Sequence, residues 1–332
     1  KPLKIRYTKD GTIPTESSPL YNDPFPLDEA TLVRAASFAA NERVGPVLSG
    51  TYLEGQKNTL PVLAITMKPS DFREIQLETR ATGHASERPA SLEYFDASGK
   101  RTKVTGFGLR LHGGAGRNGG FDTKKSYRTY FRKSYGDGRL GGWIIPEAKV
   151  KNFDQLVLRA SSNDRAFHGS SIRDQVIRDC HADMGALASR GSWCVLQVNS
   201  DNRGVYNITE RMNEDFLASH LGPGEFDIIK TGETILSGSR EAWDELRHFV
   251  TKTDFSNDDN YEALSQRIDI ENLTSYVIVN LCLQNFDWPH NNWYAARRVP
   301  DGKWIFLCWD SEWGLGYQHP GLGDAPYGID VD

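Results

Sequence analysis

The stretch that decides the fold around the candidate site is residues 287–310, which read DWPHNNWYAARRVPDGKWIFLCWD. Two runs rich in aromatic residues flank the turn sequence Pro300-Asp301-Gly302. Strand-forming runs on either side of such a turn are typical of a β-hairpin. The sequence therefore predicts two antiparallel strands joined by a short turn.

The register of this hairpin predicts which polar side chains meet. If Arg298 pairs with Lys303, Asp310 lies opposite the pair Asn291-Asn292. Asp287, which precedes that pair, then lies at the same end of the hairpin. Two carboxylates and a carboxamide supply hard oxygen ligands of the kind that divalent cations prefer. We therefore expect a metal site at this end of the hairpin.

The spacing inside this group indicates a reaction class. Asp287 and Asn292 are five residues apart, as in the D-x-x-x-x-N pattern of the protein-kinase catalytic loop. Asp310 follows on the next strand, where the magnesium-binding aspartate of a kinase falls. The spacing predicts Asp287 as the catalytic base, and Asn292 and Asp310 as metal ligands.

Composition excludes several other classes. The chain has 332 residues, enough for more than one unit, and its apolar and charged fractions are ordinary for a soluble protein. Its formal net charge of -5 argues against a general nucleic-acid binder. We find no apolar run of membrane-spanning length. The four cysteines are too few for a disulfide scaffold, which leaves buried thiols or one bridge.

The order of elements predicts an α+β protein of two units. Residues 1–54 contain short strands and turns, which favour a small β-sandwich module. Residues 60–332 form the second unit, in which strands come first and helices later. Because the first residue is Lys1, we expect a processed chain whose signal peptide lies outside this sequence. Helices are predicted at about 172–184, 212–220, 241–252 and 270–285.

A glycine-rich loop and three charged residues precede the hairpin. The loop, residues 113–120, reads GGAGRNGG, and its backbone N–H groups could approach phosphate oxygens closely. Lys125 follows on a strand, although Lys124 is an almost equal alternative, and Arg110 is a second cation. Glu210 ends a later strand and could pair with the lysine or help to hold the metal.

These motifs resemble the CotH kinases, a family of atypical, secreted-type protein kinases named for a bacterial spore-coat protein. The resemblance covers roughly residues 60–317, with the motifs in the family's order. The N-terminal run from Tyr7 to Thr15 is similar to small β modules of chitobiases and other extracellular bacterial proteins. The matching runs are Asp287–Trp293, Trp309–Gly314, Arg110–Gly113, Lys124–Arg128 and Gly204–Glu210.

The resemblance implies an atypical protein-kinase-like domain that needs ATP and Mg²⁺ or Mn²⁺ and modifies Ser or Thr hydroxyls of a protein. It implies an extracellular or cell-surface location. It favours Lys125, Arg110 and Glu210 as phosphate-site residues and Trp304 as the ring that stacks on adenine. A core role for Trp304 is equally compatible with the sequence. Glu312 departs from the Asp-x-Asp pattern of the family, which has an aspartate where this chain has a glutamate.

Two other functions remain compatible with the sequence. The N-terminal module and Glu312 suggest an adhesion or matrix-assembly module with a degenerate nucleotide site. The same acids could also serve a metal-dependent hydrolase, which would release inorganic phosphate without labelling an acceptor. Nucleotide binding separates the first alternative from a kinase, and acceptor labelling separates the second.

Overall fold

The structure is a computed structural model of the chain, and it describes residues 2–27, 29–53, 59–118, 124–166 and 170–316. Both helices and sheets are present, as an α+β class requires. None of the helices in these ranges is long and apolar enough to cross a membrane. All four cysteines are free.

The N-terminal module is one antiparallel sheet, in which β2 pairs with each of the other three strands. This corrects the expected sandwich, because the described strands of this module form a single layer. One face of the sheet buries Leu32, Ala36 and Phe38. The strands are β1 (Lys4–Thr8), β2 (Thr31–Ala39), β3 (Glu42–Arg43) and β4 (Leu48–Tyr52).

Two backbone amides fasten this module to the second unit. The Leu32 amide donates to Ser200 Oγ at 2.6 Å. The Thr51 amide donates to Glu93 Oε2 at 2.8 Å. Glu93 lies on a strand of the barrel described next, and Ser200 lies in a turn between two of its strands, so hydrogen bonds link the module to the barrel.

Seven strands close into a barrel in the order β11-β13-β12-β5-β6-β7-β8. A two-stranded ribbon, β9 (Leu140–Gly141) and β10 (Asn152–Phe153), precedes β11 in the chain. Closure pairs β8 with β11 and leaves the barrel without a free edge. The barrel strands are β5 (Val62–Met67), β6 (Arg88–Phe95), β7 (Arg101–Leu111), β8 (Tyr127–Tyr130), β11 (Gln155–Arg159), β12 (Gly191–Val198) and β13 (Asp201–Glu210).

Alternation along the strands separates an apolar interior from a second face. Leu109, Leu111 and Tyr127 belong to the main core, which fills the barrel. Residues of opposite parity point to the other face of the same strands. The helix α1 (Pro69–Leu77) buries Phe72 and Ile75 against this core.

The C-terminal part packs helices against a four-stranded sheet of order β15-β14-β16-β17. Its strands are β14 (Phe226–Lys230), β15 (Thr234–Ser237), β16 (Trp293–Arg298) and β17 (Ile305–Cys308). The helices after α1 are α2 (Ser162–Ala166), α3 (Arg173–Asp183), α4 (Glu214–Leu221), α5 (Glu241–Lys252), α6 (Asp258–Ser265) and α7 (Ile270–Cys282). The four predicted helices correspond to α3, α4, α5 and α7.

The predicted hairpin register is confirmed. Trp293 pairs with Cys308, and Tyr294 pairs with Leu307 in β16 and β17. This is the register that a pairing of Arg298 with Lys303 requires. The chain beyond β17 therefore returns Asp310 to the start of β16.

Candidate active site on the β16–β17 hairpin

Asn292 links the segment that enters the hairpin to the segment that leaves it, at the open end of the hairpin. Its Nδ2 donates to Asp287 Oδ2 at 2.5 Å and to the backbone carbonyl of Asp310 at 3.0 Å. The amide therefore connects Asp287, which lies six residues before β16, with Asp310, which lies two residues after β17. In the described part of the chain no hydrogen bond uses Asn292 Oδ1, so this oxygen is the amide atom left for a cation.

The backbone is left-handed at both ends of this connection. Asn292 has φ 54° and Asp310 has φ 58°. Asn and Asp visit this region more readily than most residues, because their short side chains bond locally. Sparsely populated conformations of this kind cluster at functional sites, where the surrounding structure holds them in place.

Asp287 carries a carboxylate whose charged form is disfavoured. Burial raises its pKa above the ordinary value, and the charge of Asp310 raises it further. Hydrogen bonds from Asn291 and His290 act in the opposite direction. The contribution of Asp310 to this shift means that the two carboxylates lie close enough to repel each other.

Arg159 at the end of β11 holds the Asp310 side chain. Its Nη2 lies 2.5 Å from Asp310 Oδ1 and 2.7 Å from Glu312 Oε1, and its Nε lies 3.2 Å from Asp174 Oδ2 on α3. Burial alone would lower the pKa of Arg159, but the three acids outweigh burial and raise it. Arg159 is therefore a fixed cation that orients Asp310 from one side.

Asp174 also positions the backbone next to Asp310. The Ser311 amide donates to Asp174 Oδ1 at 2.9 Å. Asp174 is buried and pairs with Arg178 on the next turn of α3 as well as with Arg159. The helix α3 thus fixes both the side chain and the backbone of the segment that presents Asp310.

Glu312 faces inward rather than toward the hairpin end. Its Oε1 accepts from Arg159, and its Oε2 accepts from the Asp164 amide at 3.2 Å. Burial raises the pKa of Glu312 to about 7. These contacts give Glu312 an internal structural role and leave Asp310 as the acid of this pair that reaches solvent.

The oxygen atoms at the hairpin end fit a magnesium-like cation. In the described residues Asp310 Oδ2 makes no hydrogen bond, and 38% of the side chain is exposed. Asp310 Oδ2, Asn292 Oδ1 and the Asp287 carboxylate are hard donors. Mg²⁺ typically uses one or two carboxylates and completes its shell with water and phosphate oxygens. No cluster of three or more His, Cys, Asp or Glu side chains suited to a metal occurs in the described ranges.

Lys125 and Glu210 do not form the ion pair of a kinase. Lys125 Nζ donates to the Gln76 carbonyl on α1 at 2.7 Å. Glu210 Oε1 contacts His220 Nε2 at 2.9 Å, and Oε2 accepts from the Arg190 amide at 2.9 Å. The expected pairing of Glu210 with Lys125 is therefore not observed, because each side chain has a different partner.

Trp304 lies in the core, so the structure argues against its expected role in stacking on adenine. It is 2% exposed, and the ring of Trp243 packs edge-on against it at 5.0 Å between centroids. It also precedes β17 at the turn end of the hairpin, six residues before Asp310. Four of these residues form β17, which alone spans about 13 Å, so Trp304 lies away from the candidate site.

Arg110 lies on β7, near the glycine-rich loop. Its Nη1 donates to the Gly83 carbonyl at 3.0 Å, and its guanidinium lies 5.1 Å from the centre of the Tyr130 ring. Residues 119–120 of the glycine-rich loop lie outside the described residues. The structure therefore describes the start of that loop and the cation beside it.

The site contains residues that the sequence motifs did not single out. Arg159 and Asp174 position Asp310, and Arg211 lies against Trp309, with its guanidinium 5.8 Å from the ring centre. One signal was present in the sequence: Arg159 ends the otherwise apolar strand core Leu156-Val157-Leu158. A charge in that position usually has a buried partner.

Fold and site together define a two-unit α+β protein with a carboxylate and carboxamide site on a hairpin. Comparison with protein families agrees with this class. The model described as CotH kinase protein matches residues 109–329, more than half of the chain, and the model described as Fn3 associated matches residues 2–52. The chain belongs to the CotH kinase protein family, which confirms the resemblance. A search of curated proteins gives no match.

Proposed function

We propose that this protein transfers the γ-phosphoryl group of ATP to a Ser or Thr hydroxyl of a protein. The observation that supports the proposal most directly is the Asn292 bridge between Asp287 and Asp310. It gathers an acid for the acceptor hydroxyl and an acid for a cation at one end of one hairpin. Membership of a kinase-like family agrees with this chemistry.

Asp287 orients the acceptor hydroxyl and takes its proton. Asn291 and Asn292 both donate to Oδ2, which fixes the plane of the carboxylate. His290 Nε2 lies 3.4 Å from Oδ1. Because burial raises the pKa of Asp287, its carboxylate is a better proton acceptor than an ordinary surface aspartate. Positioning is the larger contribution, since the phosphoryl-transfer transition state is loose.

Asp310 and Asn292 are the residues that would hold Mg²⁺ or Mn²⁺. When bound, this ion would offset phosphate charge in the transition state. Arg159 binds one carboxylate oxygen of Asp310, which leaves the other oxygen for the cation. Arg110 is proposed as a cation for the phosphates, whereas Lys125 and Glu210 would need new partners to take such roles.

The acceptor and the location are also part of the proposal. The family resemblance supports a protein acceptor and an extracellular or cell-surface location. The N-terminal module is docked on the barrel through Ser200 and Glu93, so it moves with the site. Such a module could bring the site to an acceptor on a surface or in a matrix.

Transfer of labelled phosphate from ATP with manganese tests the proposal on four proteins. Wild type and Asp301→Asn, a control in the exposed hairpin turn, should label an acceptor equally. Asp287→Asn and Asp310→Asn should lose about 100-fold or more of the rate, the usual scale for a catalytic acid or base. Full activity of Asp287→Asn would contradict the proposal.

The same assay separates the alternatives. Release of inorganic phosphate without a labelled acceptor would indicate a hydrolase that uses the same acids. A wild-type protein that neither transfers phosphate nor binds ATP with manganese by calorimetry would indicate an adhesion or matrix module. Either result would replace the kinase proposal.

A further inference from the structure

A row of arginines crosses one face of the barrel beside the candidate site. In the β7–β8 register Arg110 pairs directly with Arg128. On the other side of β8, Arg128 pairs with Val157. Arg159 lies two residues beyond Val157 on the same strand. Because directly paired residues and residues two apart share a face, Arg110, Arg128 and Arg159 lie on one face.

Arg211 extends this row toward the hairpin. It follows β13, and its guanidinium lies 5.8 Å from the centre of the Trp309 ring. The Arg159 guanidinium lies 5.0 Å from the same ring centre. Trp309 immediately precedes Asp310, so the row ends next to the proposed cation ligand.

The row lies on the face opposite the barrel core. Leu109, Leu111 and Tyr127, which alternate with Arg110 and Arg128, fill the barrel interior. The arginine face is therefore directed out of the barrel, toward Trp309 and the C-terminal part of the chain. This face lies where a ligand between the barrel and the hairpin would bind.

The arginines of the row differ in whether an acidic side chain neutralises their charge. Arg159 has three acidic partners, Asp174, Asp310 and Glu312. The arginine cluster, defined as Arg110, Arg128 and Arg211, makes no ion pair with an acid in the described part of the chain. We next consider what each of these three guanidiniums contacts instead.

Within the described ranges, the hydrogen-bond acceptors of the cluster are neutral. Arg128 donates to Tyr130 OH at 3.1 Å and contacts His112 Nδ1 at 3.4 Å. Arg211 donates to Tyr294 OH at 3.0 Å, and it is 8% exposed. Burial and the nearby arginines hold the pKa of His112 well below its ordinary value, so this imidazole adds no charge.

Such an arrangement is costly without an anion. Like charges directly opposite each other on paired strands are destabilising. Buried charges are normally paired, because removing them from water is unfavourable. Burial, together with the charge of Arg211, lowers the pKa of Arg128 to about 10. Three cations on one face, whose acceptors among the described residues are neutral, favour the binding of a ligand with several negative charges.

We propose that Arg110, Arg128 and Arg211 form a binding site for a chain of phosphate groups. Guanidinium groups bind phosphate oxygens through paired, charge-assisted hydrogen bonds, and three in a row match a linear polyanion better than a single carboxylate. As a description of the phosphoryl donor, this inference rests on the proposed function. It adds that the donor is recognised by its phosphates, through arginines rather than through Lys125.

Calorimetric titration with sodium tripolyphosphate, which lacks a nucleoside, tests the site directly. Wild type should bind it, and Arg128→Gln should bind about tenfold more weakly or worse, since hydrogen bonds to charged groups carry most of such affinity. Arg139→Gln is the matched control: it removes the same charge from an arginine already paired with Asp215. This control should bind within about threefold of wild type.

Two results would overturn the arginine site: no binding by wild type, or equal binding by wild type and Arg128→Gln. Circular dichroism and thermal unfolding check that Arg128→Gln is folded; we expect it to unfold no earlier than wild type. A parallel titration with ATP identifies the source of the phosphates. Binding of ATP that is unaffected by Arg128→Gln would contradict recognition through phosphates.

The transfer assay distinguishes this inference from the proposed function. Arginine-dependent binding of tripolyphosphate without any phosphoryl transfer would contradict the kinase proposal and support the phosphate site. Normal transfer by Arg128→Gln, with an unchanged kcat/KM for ATP, would contradict the phosphate site and leave the kinase proposal standing. The two proposals can therefore fail separately.

Discussion

Two parts of one arginine row have opposite electrostatic character. Arg159 lies among Asp174, Asp310 and Glu312, and these acids raise its pKa although it is buried. Among the residues that the structure describes, Arg128 on the neighbouring strand has Tyr130 and His112 as its side-chain hydrogen-bond partners, and burial lowers its pKa. The difference teaches that two arginines on neighbouring strands, one buried and one partly buried, can have different electrostatic roles. Arg159 belongs to the protein's own network of ion pairs, whereas Arg128 belongs to the proposed phosphate site.

The comparison also locates the boundary between scaffold and site. Asp310 takes part in both regions, because one carboxylate oxygen contacts Arg159 and the other is left for a cation. On its Arg159 side lie internal partners from α3. On its other side lie Asn292 and the proposed phosphate site. Three substitutions probe the two regions, and they are ordered by expected effect.

The largest effect is expected from Arg159→Met, which removes the shared cation of two buried acids, Asp174 and Glu312, and of the partly exposed Asp310. Breaking a buried ion pair by removing one partner costs about 3–5 kcal/mol of unfolding free energy. Urea unfolding monitored by circular dichroism measures the loss. Arg203→Met, which removes the more exposed pair with Asp201, serves as the control and should cost less than about 1 kcal/mol. Equal losses in the two variants would contradict a special role for Arg159.

A smaller effect on stability is expected when the pH is lowered, because α3, the helix that carries Asp174, also carries the buried His181. Burial lowers the pKa of His181 to about 4 from an ordinary value near 6.5. Between these two pH values His181 is protonated in the unfolded state but not in the folded state. The free energy of unfolding therefore falls as the pH drops from about 6.5 to about 4. The full shift corresponds to about 3 kcal/mol.

Urea unfolding at pH 7 and pH 4.5 measures this contribution. His181→Leu should lose less stability than wild type over that range. His248→Leu, which changes an exposed histidine on α5, should behave like wild type. The prediction is wrong if His181→Leu and wild type show the same dependence on pH.

The smallest effect, with the opposite sign, is expected from Arg128→Gln in the absence of any polyanion. Removing one of two like charges paired across β7 and β8 should raise the free energy of unfolding by up to about 1 kcal/mol. Thermal unfolding in buffer free of phosphate and sulfate measures this change. Arg139→Gln, which breaks a pair with Asp215, should instead leave stability unchanged or lower it. A clear loss of stability in Arg128→Gln would indicate that Arg128 is compensated after all.

The hairpin could be predicted because its information is local. A turn of defined length fixes the register of both strands, and this register alone returns Asp310 to Asn292. The helix α5 was predicted over residues 241–252, as observed, because its apolar positions recur at helical spacing. In contrast, α1 was missed, since only Phe72 and Ile75 of its nine residues are buried.

Other features depend on contacts between distant segments. Whether Trp304 faces a ligand or the core depends on Trp243, about 60 residues earlier, whose ring covers it. The order Lys125, Glu210 matches a kinase, but order along the chain does not fix where a side chain points. The bond from Arg159 to Asp310 joins residues 151 positions apart, and no local pattern encodes that distance.

The arginine row falls between these two cases. The alternation of charged and apolar residues in β7 and β8 predicts that Arg110 and Arg128 share strands with a buried face. Their direct pairing follows only from the register between those strands, which no short turn motif in the sequence specifies. The sequence therefore contains the cations, and the fold gathers them.

The measurement that tests the central claim most directly is a crystal structure of the protein with ATP and Mn²⁺, with the metal located by its anomalous scattering. The account predicts manganese bound to the Asp310 carboxylate at about 2.0–2.3 Å, with phosphate oxygens against Arg128 and Arg211. Manganese on other residues, or phosphates bound away from this arginine face, would contradict it.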